Sequence, residues 1–578
     1  MLNRKKIPIY YRIKVNILFV GIFVIFFALL YQLIRIQILD HKKYSKLALS
    51  QQYKKLEIPT RRGLIFDRNG VKLAESIQVN SVFADPLLVR DKERIAQTIA
   101  NVLHLNTGKV LNLLNKQNRF VWIKRKITDK QAKAIKRLML QGIGLRDEYI
   151  RVYPHGNLCS HVIGFTDVDE NGLGGIEYSL NQVLSGSKGY KVVETDGLQR
   201  QFSTINGETV SARYGDSVVL TIDGEIQSIV ESELKDSCLK WEPDSATAIV
   251  MAPSTGEVLA MANYPTFNPN FVQDSKQKER RNKAITDCFE PGSSIKPLIV
   301  CVALDSGYIK EDDMFFCHNG TYRVRKRVIR DIHPYDYLTI PEIIINSSNI
   351  GMAQIGMLME RRGLYSHLRN FSFGEKTGIR LPGEAKGIIR SLNLWSADSL
   401  ISVSFGYEIA TTPIQLITAF CSIANGGMLL KPQIISAITD FSGKRKRKKN
   451  KVPERIRRVI SPEIAREVMT PILENVVEEG TGRNAMLFEY SVAGKTGTTK
   501  KLQRVGNKIK YSSSKYISSF IGYAPANDPR ICVLVILNEP KNGAYYGGTV
   551  AAPIVREIIK KVFYYLKIEP QYIRTAQR

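Results

Sequence analysis

A serine and a lysine stand three residues apart at the mouth of an apolar run. In Glu290-Pro-Gly-Ser-Ser-Ile-Lys-Pro297 an extended segment ends at Pro291-Gly292, and residues 295–304 are then almost wholly apolar until Gly307. This pattern predicts a buried helix beginning near Ser293, with Lys296 as the one charge in its interior. Spacing i, i+3 places both side chains on one face. Ser293 would sit at the positive end of the helix dipole, where backbone N–H groups can stabilise a developing oxyanion. Burial disfavours a charged ammonium, so Lys296 should have a lowered pKa and could take the Ser293 hydroxyl proton, activating a nucleophile. Taken alone, the pair also fits a helix-capping serine and a snorkelling lysine.

Two later segments add to it. Asn346-Ser-Ser-Asn349 follows the apolar Ile343–Ile345 and precedes a helical pattern, so Ser347 and Asn349 could point a hydroxyl and an amide into the same cleft. Ser491-Val-Ala-Gly-Lys-Thr-Gly-Thr-Thr499 alternates like a strand, with Gly494 and Gly497 clearing room for close backbone approach. Lys495 supplies a cation, and Thr496 and Thr498 supply hydroxyls, a set suited to a carboxylate-terminated substrate lying along the strand edge. A second Lys376-Thr377-Gly378 follows a helical stretch and reads as a loop. A phosphate-binding P-loop would need glycine where Glu489 stands.

The elements that must carry these residues follow from the wider pattern. The chain has 578 residues, 44% hydrophobic and 24% charged, which excludes a disordered or fibrous protein. Residues 15–34 form an uncharged apolar run long enough to span a bilayer, preceded by Arg4, Lys5, Lys6, Arg12 and Lys14. The positive-inside bias puts residues 1–14 in the cytoplasm and the rest outside, behind an uncleaved anchor. Residues 35–222 read as a strand-rich domain with a helical stretch near 92–115. Residues 217–222 form a strand, and Asp223 then caps a helix over 224–239. From there to about 566, helices alternate with strands: a hairpin over 247–261, strands at 516–524 and 530–538, and a closing helix at 553–566. The expected architecture is α+β, an antiparallel sheet with helices packed on it, followed by a tail at 567–578.

Charge and cysteine usage narrow the partners. Lys plus Arg number 83 against 54 Asp plus Glu, a formal +29. Residues 444–458 hold ten basic residues against Glu454 alone and read as a solvated loop. Given the topology, nucleic acid is not the expected partner of that run. The seven cysteines show no C-x-x-C pair and read as small buried hydrophobes, with no metal site indicated.

The set S-x-x-K, S-x-N and K-T-G, in this order, resembles the signature of penicillin-binding proteins, and the chain is identified as a member of their class B, the monofunctional peptidoglycan D,D-transpeptidases. Arg62-Gly63-Leu-Ile-Phe-Asp67-Arg68-Asn69-Gly70, Arg151-Val-Tyr-Pro-His-Gly156 and Gly174-Gly-Ile-Glu177 resemble motifs of the non-catalytic pedestal, or dimerisation-type, domain. Glu479-Gly-Thr-Gly482 and Tyr546-Gly-Gly-Thr549 resemble motifs of the transpeptidase domain. Ser347-Ser-Asn-Ile-Gly351 is closer to the septal, FtsI-like branch than to the elongation branch. Ser404-Phe-Gly-Tyr-Glu-Ile409 departs from the Gly-Gln-Gly usual there. The resemblance implies a pedestal at 35–222 and a transpeptidase domain at 223–566. It implies that Ser293 attacks the D-Ala-D-Ala bond of a donor stem peptide, with Lys296 as base, Ser347 relaying a proton and Asn349 orienting Lys296. Lys495, Thr496, Gly497 and Thr498 would hold the terminal carboxylate, and the backbone N–H groups of Ser293 and Thr498 would form the oxyanion hole. An acceptor amine from a neighbouring stem peptide would complete the cross-link. β-Lactam antibiotics would acylate Ser293, a membrane glycosyltransferase and division proteins would be partners, and no metal or organic cofactor would be required. The alternatives are an elongation-type transpeptidase, a D,D-carboxypeptidase, and a penicillin-binding sensor or scaffold.

Overall fold

The computed structural model describes residues 8–194, 209–325, 327–441, 445–447, 453–506 and 508–571. Near its start, Ile9–Ile34 is a helix that continues through Arg35–Leu39, giving 31 residues long and apolar enough to cross a membrane, with none buried. It extends beyond the expected 15–34 at both ends, because helical hydrogen bonding does not stop where the apolar run does. Contacts divide the chain into two compact units. One comprises Met1–Thr60 with Ser187–Arg213, where Tyr53–Ile58 pairs antiparallel with Gly189–Glu194, which in turn pairs with Thr209–Val210.

The other unit comprises Arg61–Gly186 with Tyr214–Arg578. The expected pedestal, 35–222, is thus divided between the two, and its middle packs in one unit with the transpeptidase half. In that middle, Lys72–Ala84 pairs antiparallel with both Val121–Ile127 and Ile143–Val152. The helical stretch expected near 92–115 is two helices, Lys92–Leu103 and Thr107–Leu114. His104, left-handed at φ 53°, ends the first, and the Asn106 side chain caps the second by accepting from Lys109 N.

Three motifs far apart in sequence meet in this unit. Arg62 Nε and Arg151 Nε each donate to the Glu177 carboxylate at 2.6 Å, and all three side chains are buried. Arg62 also donates to Glu177 O, and Arg151 to Gly63 O, so the desolvated charges are largely satisfied by one another and by nearby backbone carbonyls, with Arg151 Nη2 left without a partner. Asp67 ties the pedestal to the first transpeptidase helix: its carboxylate accepts from Asn69 N, Val71 N and Gly224 N, the last at the start of that helix. Ser217–Leu220 lies parallel to Ile65–Phe66 and antiparallel to Ile435–Thr439, so one seven-stranded sheet joins pedestal and transpeptidase segments.

The basic run departs from the expected loop. Arg445–Arg447 pairs antiparallel with Ile435–Thr439 as an edge strand, and Arg455–Arg458 pairs with Met428–Leu430. Backbone pairing needs no apolar side chains, and charged residues are well suited to sheet edges, so the hydrophobic pattern could not reveal these strands. Residues 448–452 lie outside the described residues.

The transpeptidase core is a five-stranded antiparallel sheet. Its strands are β1 (Ser245–Met251), β2 (Val258–Tyr264), β3 (Ala493–Val505), β4 (Lys508–Ala524) and β5 (Ile531–Asn538), in the order β2-β1-β5-β4-β3. The helices that matter for the site are α1 (Gly224–Trp241), α2 (Lys296–Asp305), α3 (Ile340–Ile345), α4 (Asn349–Asn370), α5 (Pro413–Ala424), α6 (Thr470–Glu478) and α7 (Ala552–Leu566). Asp223 caps α1, accepting from Glu225 N and Ile226 N. Strand alternation splits the core into two layers. Ala248 and Val250 of β1 join Ile226 and Val230 of α1 and Val555 and Ile558 of α7 in one cluster. Ile249 and Met251 join Leu298 of α2 and Leu416 and Phe420 of α5 in the other. β3, at the sheet edge, carries the Lys-Thr-Gly-Thr segment.

Candidate active site

Ser293 lies in a 3-10 turn, Gly292–Ile295, that leads directly into α2, so the helix expected from Ser293 begins with a tighter first turn. α2 is buried from Lys296 to Ala303, as its apolar composition requires. Ser293 stays half-buried, whereas Lys296 is 0% exposed.

The Lys296 ammonium is met by the turn between α3 and α4. Its Nζ donates to Ser347 O at 2.7 Å, Asn349 Oδ1 at 2.9 Å and Ser348 O at 3.2 Å, with Ser347 Oγ at 3.3 Å. Ser347 takes a left-handed φ of 57°, which lets both its carbonyl and its hydroxyl face one nitrogen. Asn349 Nδ2 donates to Arg330 O, which leaves Oδ1 for the lysine. Burial lowers the Lys296 pKa from 10.5 to about 7, against an opposing pull from the Asp331 carboxylate. At neutral pH much of it is therefore an amine. Two N–H groups suffice for Ser347 O and Asn349 Oδ1, and a lone pair remains for a proton.

Asp331 is the residue that pattern reading missed. It follows the hairpin of Thr321–Val324 and Arg327–Arg330, and its carboxylate accepts from Ser348 Oγ at 2.5 Å, Asn349 N at 2.5 Å and Ile350 N at 3.2 Å. An acidic group is thereby fixed at the N-terminus of α4, the end where the dipole favours negative charge. Ser348 is the N-cap itself, accepting from Gly351 N. A lone aspartate 16 residues before Ser347 carries no local signal, because only the folding of the chain between them, Tyr337–Thr339 and α3, brings it back.

The opposite wall is β3. A Cβ on Gly497 would overlap Ser294 Oγ and Ser519 Oγ and lie 3.2 Å from Pro291 O, so glycine is what allows β3 to approach the Ser293 turn. Lys495 is 0% exposed, and burial, with repulsion from Lys296 when that side chain is protonated, holds its ammonium well below the ordinary lysine range. The sequence pattern read Lys495 as a simple cation; here its charge depends on its surroundings. A carboxylate reaching it would favour the protonated form, so binding and charging are coupled. Thr496 Oγ1 lies 3.0 Å from Thr481 Oγ1 and 3.4 Å from Lys495 Nζ. Thr498 Oγ1 accepts from Gly547 N at 2.9 Å. Thr481 and Gly547 thus orient the two threonines from the Glu479–Gly482 and Tyr546–Thr549 segments.

The fold therefore gathers Ser293, Lys296, Ser347, Asn349 and the Lys495–Thr498 strand into one cleft. The second Lys-Thr-Gly stays apart in a loop, where Thr377 N and Oγ1 donate to Glu384. In the departing segment Ser404–Ile409, Glu408 N donates to Glu290 and Gly292 N donates to Gly406 O, so it supports the Ser293 turn by backbone contacts. Six cysteines are buried and free, whereas Cys288 is exposed. Among the described residues, no group of three or more His, Cys, Asp or Glu side chains is placed to hold a metal ion.

Comparison with known proteins places this geometry. Residues 246–560 match the penicillin binding protein transpeptidase domain, and residues 57–220 match the penicillin-binding protein dimerisation domain. The peptidoglycan D,D-transpeptidase FtsI of Escherichia coli is 33% identical over 530 residues, covering 90% of this chain and 86% of its own. Stage V sporulation protein D of Bacillus subtilis is 34% identical over 567 residues, covering 97% and 87%. Among solved structures, a peptidoglycan synthetase from Bifidobacterium adolescentis superposes with a TM-score of 0.72 at 26% identity, over 91% of this chain and 98% of that one. Penicillin binding protein 3 of Mycobacterium tuberculosis in complex with aztreonam gives 0.70 at 25% identity, over 89% and 98%.

Proposed function

The chain belongs to the class B penicillin-binding proteins, and from that membership and the geometry of the cleft we propose that it cross-links peptidoglycan through a serine acyl-enzyme, in the steps given below for each residue. Ser293 attacks the carbonyl of the terminal D-Ala-D-Ala bond, and neutral Lys296 takes its proton. Ser347, within reach of the same nitrogen, passes a proton to the departing D-Ala amine. Asn349 holds Lys296 and the donor peptide. The terminal carboxylate docks on Lys495, Thr496 and Thr498, while the backbone N–H groups of Ser293 and Thr498 receive the oxyanion. An amine of a second stem peptide then attacks the ester and releases Ser293. β-Lactams enter the same path and stop at the ester. The observation that carries this reading is the buried Lys296 nitrogen held between Ser347 and Asn349 and facing the Lys495–Thr498 strand.

The apolar helix Ile9–Leu39 anchors the protein in a membrane. The basic residues before it support a cytoplasmic N-terminus with the catalytic domain outside, and the FtsI relative supports work at the division septum beside a membrane glycosyltransferase. Labelling the purified full-length protein with a fluorescent penicillin tests the chemistry: wild type takes up label and Ser293→Ala does not. Equal labelling of the two removes Ser293 from the mechanism. A fluorescent fusion concentrated at mid-cell in dividing cells supports the septal role, and a uniform lateral signal counts against it.

A further inference from the structure

The basic run finds no use in peptide cross-linking, yet its last strand opens onto a cavity. Arg455–Arg458, paired with Met428–Leu430, forms one wall of a space of about 710 Å³ lined also by Arg466, Glu474, Asn527 and Asp528. None of the site residues around Ser293 lines it.

Three arginines line this space, and the guanidinium groups of two of them crowd one turn. Arg458 Nη1 donates to Gly426 O at 2.7 Å. A Cβ on Gly426 would lie 2.8 Å from Arg466 Nε, and one on Gly427 would lie 3.2 Å from Arg458 Nη1. Both cations therefore press against the same backbone turn, where two glycines leave room for them. Among the described residues, no ion pair neutralises Arg455, Arg458 or Arg466. Neither acidic residue of the lining forms an ion pair with them among the described residues: Asp528 pairs instead with Arg530 at 2.8 Å. Arg466 lies in a π-helical stretch, Ile464–Met469, immediately before α6. Such wide turns are costly and recur at functional sites. All three arginines are exposed, so their charges are open to an anion arriving from solvent. Guanidinium forks match phosphate oxygens in pairs, and the volume exceeds what a single carboxylate would occupy.

We propose that this cavity is a binding site for a phosphate ester, gripped by Arg455, Arg458 and Arg466. A phospholipid headgroup and a phosphate-linked wall polymer share that chemistry.

Isothermal titration of the detergent-solubilised full-length protein tests it with three probes: inorganic pyrophosphate, a glycerophosphate oligomer and short-chain phosphatidylglycerol below its micelle concentration. The expected result is saturable binding of at least one probe, weakened tenfold or more in Arg466→Gln and in Arg455→Gln and largely kept in Arg466→Lys. Tighter binding of the oligomer assigns the site to a wall polymer, and tighter binding of the lipid assigns it to a headgroup. Uptake of fluorescent penicillin at the wild-type rate shows that each variant is folded and separates this test from that of Ser293. Absence of saturable binding to all three probes, or equal affinity in wild type and both glutamine variants, overturns the proposal.

Discussion

The protonation of Lys296 offers the most direct quantitative test of the mechanism. Burial brings its pKa from 10.5 to about 7. At 1.36 kcal/mol for each factor of ten, that displacement corresponds to about 5 kcal/mol against the charged form. About half of the molecules then carry a neutral base at pH 7, roughly a thousandfold or more above the fraction for an ordinary lysine. The second-order rate constant for acylation by penicillin should therefore climb with pH through an acid limb centred near 7 and fall about tenfold per pH unit below 6. Asp331→Asn separates charge from position. The carboxylate opposes the lowering of Lys296, so removing its charge should move the acid limb to lower pH. The substitution also weakens the acceptor for Ser348 Oγ, Asn349 N and Ile350 N. Charge-assisted bonds of this kind are worth about 1.5–3 kcal/mol each, so a loss of about 2 kcal/mol in positioning would lower the plateau about thirtyfold. Stopped-flow acylation from pH 5 to 9 reads limb and plateau independently. A flat wild-type profile would remove Lys296 as the base. A limb that stays in place or moves upward in Asp331→Asn would refute the electrostatic link.

Other substitutions probe the scaffold and the cleft. Glu177→Gln removes the carboxylate that Arg62 and Arg151 share and should cost about 3–5 kcal/mol, read as a lower denaturant midpoint; an unchanged midpoint would show that the triad does not hold the pedestal. Gly292, at φ 53°, has no space for a Cβ against Thr499 Cγ2, so Gly292→Ala should slow acylation at least tenfold. Retention of the wild-type rate would mean that the Ser293 turn tolerates movement away from β3. Thr481→Val removes the hydroxyl partner of Thr496 while keeping its shape, and should raise the substrate concentration for half-maximal turnover severalfold with little change in maximal rate. A fall in maximal rate alone would give Thr481 a different role.

What the sequence determined by itself is what depends on short spacing. Ser293 and Lys296 share a helical face because three residues make nearly one turn, and an apolar run beside them could only be buried. The Lys495–Thr498 segment reads as a strand from its alternation, and Gly497 marks the point where another backbone must come close. The N-terminal helix is legible from length and composition. Tertiary structure decided everything that rests on long return paths. Arg62, Arg151 and Glu177 look like three unrelated charges until folding brings them together. Asp331 reaches the turn after Ser347 only because the chain between them folds back through Tyr337–Thr339 and α3. The charged segments 445–447 and 455–458 become edge strands through backbone pairing that side-chain pattern does not encode. The state of Lys495 belongs to the same group. A side chain's charge depends on the water removed around it and on the charges brought near it, and both are set only when the whole chain has closed.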